Sequence, residues 1–162
     1  IDQRSYMTYD QQKMPLLTGI LKNGDFPSVI VFAGTKETVK KLKHEFKSAG
    51  LNAKSFHSDL EQSERESIMR EFKSKQLPII IGTDILSRGI DVEGISLVVN
   101  YDVPPDPEDY IHRIGRTGRA ESPGDAISFV SEEEAHHFKV IQKKMKTRVE
   151  LIDSETIELK GY

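Results

Sequence analysis

The residues best suited to chemistry lie between His112 and Arg119, in the order His-Arg-Ile-Gly-Arg-Thr-Gly-Arg. Three arginines, Arg113, Arg116 and Arg119, recur at every third position. An arginine side chain is always charged, and its planar fork of N–H donors matches the oxygens of a phosphate group. The glycines between them permit sharp turns and the close approach of another surface. The segment therefore predicts a clamp for anions, for which a polyphosphate is the best match.

A second candidate site occupies residues 83–91, directly after an uninterrupted apolar run. Its side chains include the hydroxyl of Thr83, the guanidinium of Arg88 and the carboxylate of Asp91. Together with exposed backbone N–H groups, such a set can bind one phosphate group and one ribose hydroxyl. A polar turn between a strand and a helix, with a local Arg88–Asp91 pair, explains the same residues equally well.

A third candidate is the pair Gly34 and Thr35, which follows another apolar run and opens a helical pattern. Backbone N–H groups at a helix N-terminus attract anions, so the pair is a candidate phosphate contact. Thr35 acting as a simple N-cap of the helix is at least as good an explanation.

Gln62 and Arg65 form a fourth candidate, because residues three apart share one face of a helix. A structural explanation is strong here as well. Asp59 with Gln62 is spaced like a capping pair, and Arg65 could form an ion pair with Glu61 or Asp59.

The chain lacks the usual means of holding a nucleotide alone. Gly19 and Gly24 have the separation of a phosphate-binding loop, but Asp25 stands where its lysine should be. We find no second carboxylate motif for Mg²⁺, and His57 with Asp59 is too small a ligand set for a metal. We therefore expect no metal site in this chain and a nucleotide presented by another domain.

Composition is that of an ordinary globular domain, with 162 residues, 30% of them charged, and a net charge of −3. This charge confines any nucleic-acid contact to a local patch. No apolar run reaches membrane-spanning length, and the first residues resemble no targeting peptide. The absence of cysteine suits a reducing compartment, so we expect a cytoplasmic protein, or a nuclear one in a eukaryote. Since the chain does not begin with Met, we expect it to be cut from a longer protein.

Strand and helix patterns alternate along the chain, which predicts an α/β fold with a mainly parallel sheet and helices on both faces. Ligands of such sheets bind beyond the carboxyl ends of the strands, so the loops starting at Ala33, His57, Gly82 and Asp102 should matter. We predict helix caps at Asp10, Thr35, Asp106 and Ser131, strands over 4–9, 28–32, 53–57, 78–82, 97–101 and 126–130, helices over 35–49 and 61–73, and a short strand or linker over 147–162.

These segments together resemble the C-terminal RecA-like domain of DEAD-box ATP-dependent RNA helicases. The resemblance extends from about Gln3 to Met145. It is carried by four segments in the family's order, similar to motif IV, the glutamine-arginine motif, motif V and motif VI: residues 29–35, 62–65, 83–91 and 110–119. One departure is Ser58, where the family usually has a glycine between histidine and aspartate.

The resemblance implies a RecA-like three-layer sandwich over residues 1–146, an extension or linker over 147–162, and an N-terminal ATP-binding domain outside this chain. It also implies ATP and Mg²⁺ held mainly by that other domain. The implied site residues are Arg116 and Arg119 as catalytic arginine fingers at the ATP γ-phosphate, Asp91 and Gly89 at the nucleotide, and Gly34, Thr35, Gln62, Arg65, Thr83 and Arg88 on the RNA backbone. His112 and Arg113 are implied at the domain interface, linking the other domain's motifs to loops of their own domain.

The expected function is therefore ATP-driven, local unwinding of RNA duplexes by the full-length protein, with RNA bound by its backbone without regard to sequence. This chain alone is expected to be inactive, and no membrane partner is expected. A DNA-directed helicase or translocase of the same architecture is one alternative, which stimulation by RNA against DNA would separate. A non-enzymatic RNA- or protein-binding module is the other, and a lysine phosphate loop upstream in the gene would exclude it.

Overall fold

The computed structural model describes residues 2–83, 95–104, 106–114, 124–145 and 150–153. Strands and helices alternate along this part of the chain, as predicted. The strands are β1 (Asp2–Met7), β2 (Val29–Phe32), β3 (Ala53–Phe56), β4 (Ile79–Gly82), β5 (Leu97–Asn100), β6 (Asp125–Val130) and β7 (Glu150–Asp153), and the helices are α1 (Asp10–Asn23), α2 (Lys36–Ser48), α3 (Gln62–Lys73), α4 (Pro107–Ile114) and α5 (Ala135–Met145).

The strands form one sheet in the order β3-β4-β2-β5-β6-β1-β7, and every described pairing is parallel. In the middle of the sheet, Val31 lies opposite Ile81 on one side and Val99 on the other. All residues of β2, β4 and β5 are buried, because a sheet covered on both faces needs continuous apolar strands. The predicted α/β class with a parallel sheet is confirmed.

Residues 150–153 add the strand β7 to the sheet beside β1. This strand lies within the segment 147–162, for which the sequence left open a strand or a linker. The described part of that segment is therefore an edge strand that continues the parallel pairing.

Helices cover both faces of the sheet and give the fold three layers. On one face, α1 and α2 bury Leu17 and Phe46 against the inward-facing residues of the central strands. On the other face, α3 buries Phe72, while α4 and α5 bring Tyr110 and Phe138 together with ring centroids 5.8 Å apart. None of the described helices combines the length and apolar content that a membrane crossing requires.

Most of the predicted helix ends are confirmed. The hydroxyl of Ser131 accepts a hydrogen bond from the Glu134 N–H at 3.3 Å, and the Glu134 carboxylate accepts from the Ser131 N–H at 3.1 Å. This reciprocal pair has the bonds of a capping box, and the turn over 132–134 that it closes leads into α5 at Ala135. Asp106 Oδ1 accepts from the Glu108 N–H at 3.0 Å, and Gly50 follows α2 with φ of +80°, which favours glycine.

The predicted cap at Asp10 is wrong, because Asp10 is already the first residue of α1. Tyr9 holds the extended N-cap conformation, and its N–H points to the Gln12 side chain, 3.5 Å away. The Gln12 side chain, at the third helical position, thus accepts a hydrogen bond from the backbone N–H of the N-cap residue. No Asp cap is needed for this N–H group.

We expect Phe46→Ala to lower the free energy of unfolding by about 3–5 kcal/mol, because it removes a fully buried ring and leaves a cavity between α2 and the sheet. Urea denaturation of the chain measures this. Val140→Ala is the control, since Val140 is 45% exposed and its loss should change stability by less than about 0.5 kcal/mol. Equal losses in the two variants would contradict the packing described here.

Candidate functional site

Four predicted loops start at the same edge of the sheet. Parallel strands place their carboxyl ends together, and β3, β4, β2 and β5 are neighbours in that order. Gly34, His57, Thr83 and Asp102 follow these strands directly or within two residues. The expectation that these loops share one edge is therefore confirmed, and Thr83 is half-buried there.

Gly34 lies against the carboxylate of Asp102. The backbone N–H of Gly34 donates a hydrogen bond to Asp102 Oδ2 at 2.7 Å. A Cβ atom at Gly34 would lie 3.2 Å from the same oxygen, which is tighter than ordinary contact. The glycine therefore permits a close approach between the two loops, and its N–H is already used within the domain.

Thr35 is the N-cap of α2. Its Oγ1 accepts a hydrogen bond from the Thr38 N–H at 3.2 Å and lies 3.0 Å from the Thr38 hydroxyl. The explanation of Thr35 as an N-cap is therefore confirmed. Because Gly34 and Thr35 are both exposed, an additional contact with a phosphate group stays a prediction.

The proposed capping pair of Asp59 with Gln62 is wrong. The N-cap of α3 is Glu61, whose N–H donates to the Glu64 carboxylate at 3.3 Å. Asp59 instead lies 3.4 Å from the Lys36 ammonium, at the start of α2. Gln62 is consequently free of a capping role and stays exposed on the first turn of α3.

Arg65 forms neither of the ion pairs considered from the sequence, as far as the described residues show. Its Nη2 donates to the backbone carbonyl of Ser58 at 2.8 Å, and its Nε is buried without a hydrogen-bond partner in the described part of the chain. The side chain therefore fixes the loop after β3, in which Ser58 replaces the family's usual glycine. An RNA contact by Arg65 stays a prediction.

Arg113 lies inside the domain and is not available to the anion clamp predicted from the sequence. It lies on α4, and its side chain is only 2% exposed. Its Nη1 donates to Asn100 Oδ1 at 3.1 Å and to the backbone carbonyl of Asp102 at 3.4 Å. Its guanidinium carbon lies 4.8 Å from the centre of the Phe32 ring, within range of a cation–π interaction. Arg113 is therefore bound inside its own domain, at the carboxyl ends of β2 and β5.

Lys13 is the residue that the sequence analysis missed. Its ammonium lies 3.0 Å from Glu134 Oε1, 3.2 Å from Asp102 Oδ1 and 3.4 Å from Asp10, and its side chain is 2% exposed. The available signal was its position, because Lys13 precedes the buried Leu16 by three residues and so lies on the apolar side of α1. A lysine on an apolar helical face indicates a buried partner.

The attraction between Lys13 and its carboxylate partners outweighs the effect of burial on the pKa values of Lys13 and Glu134. Burial alone would lower the pKa of Lys13 and raise that of Glu134. The charges of Glu134 and Asp102 outweigh burial, so the pKa of Lys13 lies above its ordinary value. The Lys13 charge and the Val103 and Ser131 N–H groups likewise hold the pKa of Glu134 below its ordinary value. Both groups are therefore charged at neutral pH.

Several predicted site residues lie outside the described residues. His112 is placed in α4 by its backbone. Among the described residues, no group of three or more His, Cys, Asp or Glu side chains could hold a metal ion. The predicted residues Arg88, Gly89 and Asp91 fall in 84–94, and Arg116 and Arg119 fall in 115–123, which are outside the described residues.

Comparisons with known proteins agree with this arrangement. Residues 12–121 match the family model of the helicase conserved C-terminal domain. The solved C-terminal domain of the DEAD-box protein Dbp5 aligns with a TM-score of 0.89 and 34% identity, covering 96% of this chain and 91% of that one. This chain is a helicase C-terminal domain of the DEAD-box family. The predicted family is thereby confirmed.

Two further relatives give the scale of the similarity. The ATP-dependent RNA helicase CshA of Listeria monocytogenes is 36% identical over 156 residues, which are 96% of this chain but 30% of that protein. Dbp5 of S. cerevisiae bound to RNA and ADP BeF3 aligns with a TM-score of 0.85 and 34% identity, covering 95% of this chain and 42% of that one. This domain thus spans less than half of each of these two relatives.

We expect Lys13→Met to destabilise the domain by about 3 kcal/mol at neutral pH, because two partly buried carboxylates lose their shared cation. The depressed pKa of Glu134 means that its stabilisation is present above its ordinary pKa of 4.5 and is lost as the pH falls through its folded value. The raised pKa of Lys13 means that its contribution is fully present below 10.5 and is lost as the pH rises through its folded value.

The difference between Lys13→Met and wild type should therefore shrink as the pH falls below 4.5, and again above 10.5. Urea denaturation at a series of pH values measures it. Lys139→Met, which removes an exposed lysine from α5, is the matched control. A loss that stays the same at every pH would show that the ion pairs are not its cause.

Proposed function

We propose that this domain works in an ATP-dependent RNA helicase that locally unwinds RNA duplexes. One observation carries the proposal: in a DEAD-box C-terminal domain, the loops that resemble RNA- and ATP-contacting motifs start at one edge of a parallel sheet. The solved structure of the related protein Dbp5 bound to RNA and ADP BeF3 supports the assignment of both ligands to a domain of this kind.

The proposed division of labour follows from what this chain contains. The sequence contains no phosphate loop with its lysine, and Gly19 and Gly24 belong to α1 and its C-cap. The cradle for the triphosphate and the Mg²⁺ ligands would therefore lie mainly in the N-terminal domain. When bound there, Mg²⁺ would neutralise charge on the phosphates. This domain would supply the cations that approach the γ-phosphate from the other side of the cleft.

Arg116 and Arg119 are the proposed arginine fingers. The anchoring of Arg113 to Asn100 and Asp102 supports this role, because it fixes the last turn of α4 at the carboxyl edge of the sheet. The two arginines follow α4 in the chain within five residues of its end at Ile114. A finger that stabilises charge on the transferring phosphoryl group contributes roughly 10³–10⁵ in rate. Asp91 and Gly89 would contact the nucleotide.

RNA would be held by its sugar-phosphate backbone across the loops after β2, β3 and β4. Gly34 offers a surface without a side chain, and Thr35 is exposed beside it. Such backbone contacts bind without regard to sequence and weaken with salt, and contacts with the ribose 2′-hydroxyl favour RNA over DNA. The other residues proposed for RNA are Gln62, Arg65, Thr83 and Arg88. His112 would lie toward the N-terminal domain, while the buried Arg113 would support α4 from within its own domain.

In the full-length protein, we expect Arg116→Ala to lower RNA-stimulated ATP hydrolysis by about 10³-fold or more while largely preserving RNA affinity. Steady-state phosphate release and RNA titration measure the two quantities. Arg70→Ala is the matched control, because Arg70 is an exposed arginine in the last turn of α3, away from the carboxyl ends of the strands. Wild-type hydrolysis should respond to RNA and not to DNA. Turnover that persists in Arg116→Ala would exclude the finger assignment.

The isolated 162-residue chain is expected to hydrolyse no ATP, because it lacks the phosphate loop that would hold the substrate. Phosphate release from the purified chain, with and without RNA, tests this. Its folded state must be verified in the same preparation by cooperative urea denaturation. Appreciable hydrolysis by the folded chain would contradict the proposed division between the two domains.

A further inference from the structure

We propose that one exposed face of α2 is an additional RNA-binding surface, which leads away from the loops at the strand ends. This face carries Lys36, Lys40, Lys43 and Lys47, which together form the lysine stripe. It would bind the phosphates of a single strand that extends beyond the proposed RNA site. The inference rests on the proposed function, because the strand must first be bound at the loops after β2, β3 and β4.

The spacing of the lysines places them on one side of the helix. They are separated by four, three and four residues, and all of them are exposed. In an α-helix this spacing gives a stripe about 60° wide and roughly 16 Å long. Glu37 and Glu45 lie at about 100° and 180° from Lys36 around the helix axis. No carboxylate of α2, every residue of which is described, therefore interrupts the lysine stripe.

Three of these lysines are not neutralised within the described part of the chain. Lys36 lies 3.4 Å from Asp59 in the loop after β3. Lys40, Lys43 and Lys47 form no ion pair or hydrogen bond with any described residue. Like charges three and four residues apart destabilise a helix slightly, so this arrangement does not serve the fold. An anion that carries several charges would bind favourably across it.

The lysine stripe begins beside the proposed RNA site. α2 starts directly after its exposed N-cap, Thr35, and runs from the carboxyl edge of the sheet toward the opposite edge. The contact between Lys36 and Asp59 places the start of the stripe on the side of α2 that faces the loop after β3. Phe46 is fully buried against the sheet and fixes this orientation. A strand bound at Thr35 would therefore continue past Asp59 along the lysines.

The composition of this surface favours a polyanion over a protein partner. Protein interfaces are depleted in lysine and depend on buried apolar or aromatic anchors. The exposed large apolar side chains among the described residues are Met7, Tyr9 and Val140, and none of them lies on α2. Lysine ammonium groups contact phosphates without regard to base sequence. At about 3.4 Å per nucleotide of a stacked strand, the stripe would lie beside about five phosphates.

The test measures the RNA affinity of the full-length protein with ADP–BeF3 at low salt. The shortest single-stranded RNA that binds is compared with RNAs extended by about five nucleotides at the 5′ end or at the 3′ end. We expect one of the two extensions to raise the affinity about tenfold, because the stripe leaves the loops on one side only. The variant Lys40→Gln/Lys43→Gln/Lys47→Gln should lose this gain and keep its affinity for the shortest RNA within about twofold of wild type.

The salt dependence of binding is a second measurement on the same variant. For the extended RNA, the slope of log affinity against log salt should become shallower by about 2, since each phosphate contact of a single strand contributes about 0.7. Lys40→Arg/Lys43→Arg/Lys47→Arg retains the three charges and should retain both the gain and the slope.

The matched control removes three lysines from α5. Lys139→Gln/Lys143→Gln/Lys144→Gln changes the net charge by the same amount, and all three side chains are exposed. Because α5 lies outside the proposed RNA path, this variant should keep the gain of wild type. A melting curve of each variant verifies that it is folded.

A pair of single variants on α2 serves if the triple variant does not fold. Lys43→Gln removes one charge from the stripe, whereas Lys41→Gln removes one exposed charge at about 140° from Lys36 around the axis. Only Lys43→Gln should reduce the gain, by about twofold, which is one third of the tenfold effect on a logarithmic scale.

A gain that survives in the triple glutamine variant of α2, or that falls equally in the α5 control, would overturn the inference. Equal affinity of wild type for all three RNAs would overturn it as well, and the lysines would then be a solvated face or a site for an acidic protein. Failure of the proposed function is distinguishable, because wild type would then show no RNA-stimulated ATP hydrolysis. Failure of the lysine stripe alone would leave that stimulation intact.

Discussion

The buried ammonium of Lys13 is the interaction on which the functional edge of this domain depends. A cation out of water is tolerated only when carboxylates surround it, and these come from distant parts of the chain. Asp102 follows β5, and Glu134 lies just before α5. Satisfying one charge therefore holds α1, the end of β5 and the start of α5 in a fixed relation. The loops that carry the candidate site are attached to this frame.

The fold was largely predictable from the sequence, because its signals are local. Continuous apolar runs such as 79–82 indicate strands covered on both faces, and the Ser131–Glu134 spacing indicates a helix start. Parallel pairing then follows from the alternation with helices, and parallel pairing brings the loops to one edge. Each step uses residues that are close together in the chain.

The errors and omissions arose where a partner is remote or where two local solutions compete. Lys13 lies 89 residues from Asp102 and 121 from Glu134, so no local pattern connects them. Arg113 was interpreted as an available cation because its acceptor, Asn100, looks like an ordinary end of a strand. Asp59 is a plausible cap for α3 by its spacing, but the spacing of Glu61 and Glu64 serves equally. In the structure Glu61 is the cap, and Asp59 lies 3.4 Å from Lys36.

The edge of the sheet formed by β3 is a poor site for pairing with another chain. β3 is the outermost strand on that side, it has four residues, and its Lys54 forms a 2.7 Å ion pair with Glu71 of α3. A short strand that carries a charged side chain is a poor template for a second chain. The unpaired backbone N–H and C=O groups of β3 are therefore expected to bind water and not a strand of a second molecule. This limits aggregation of the apolar sheet through that edge.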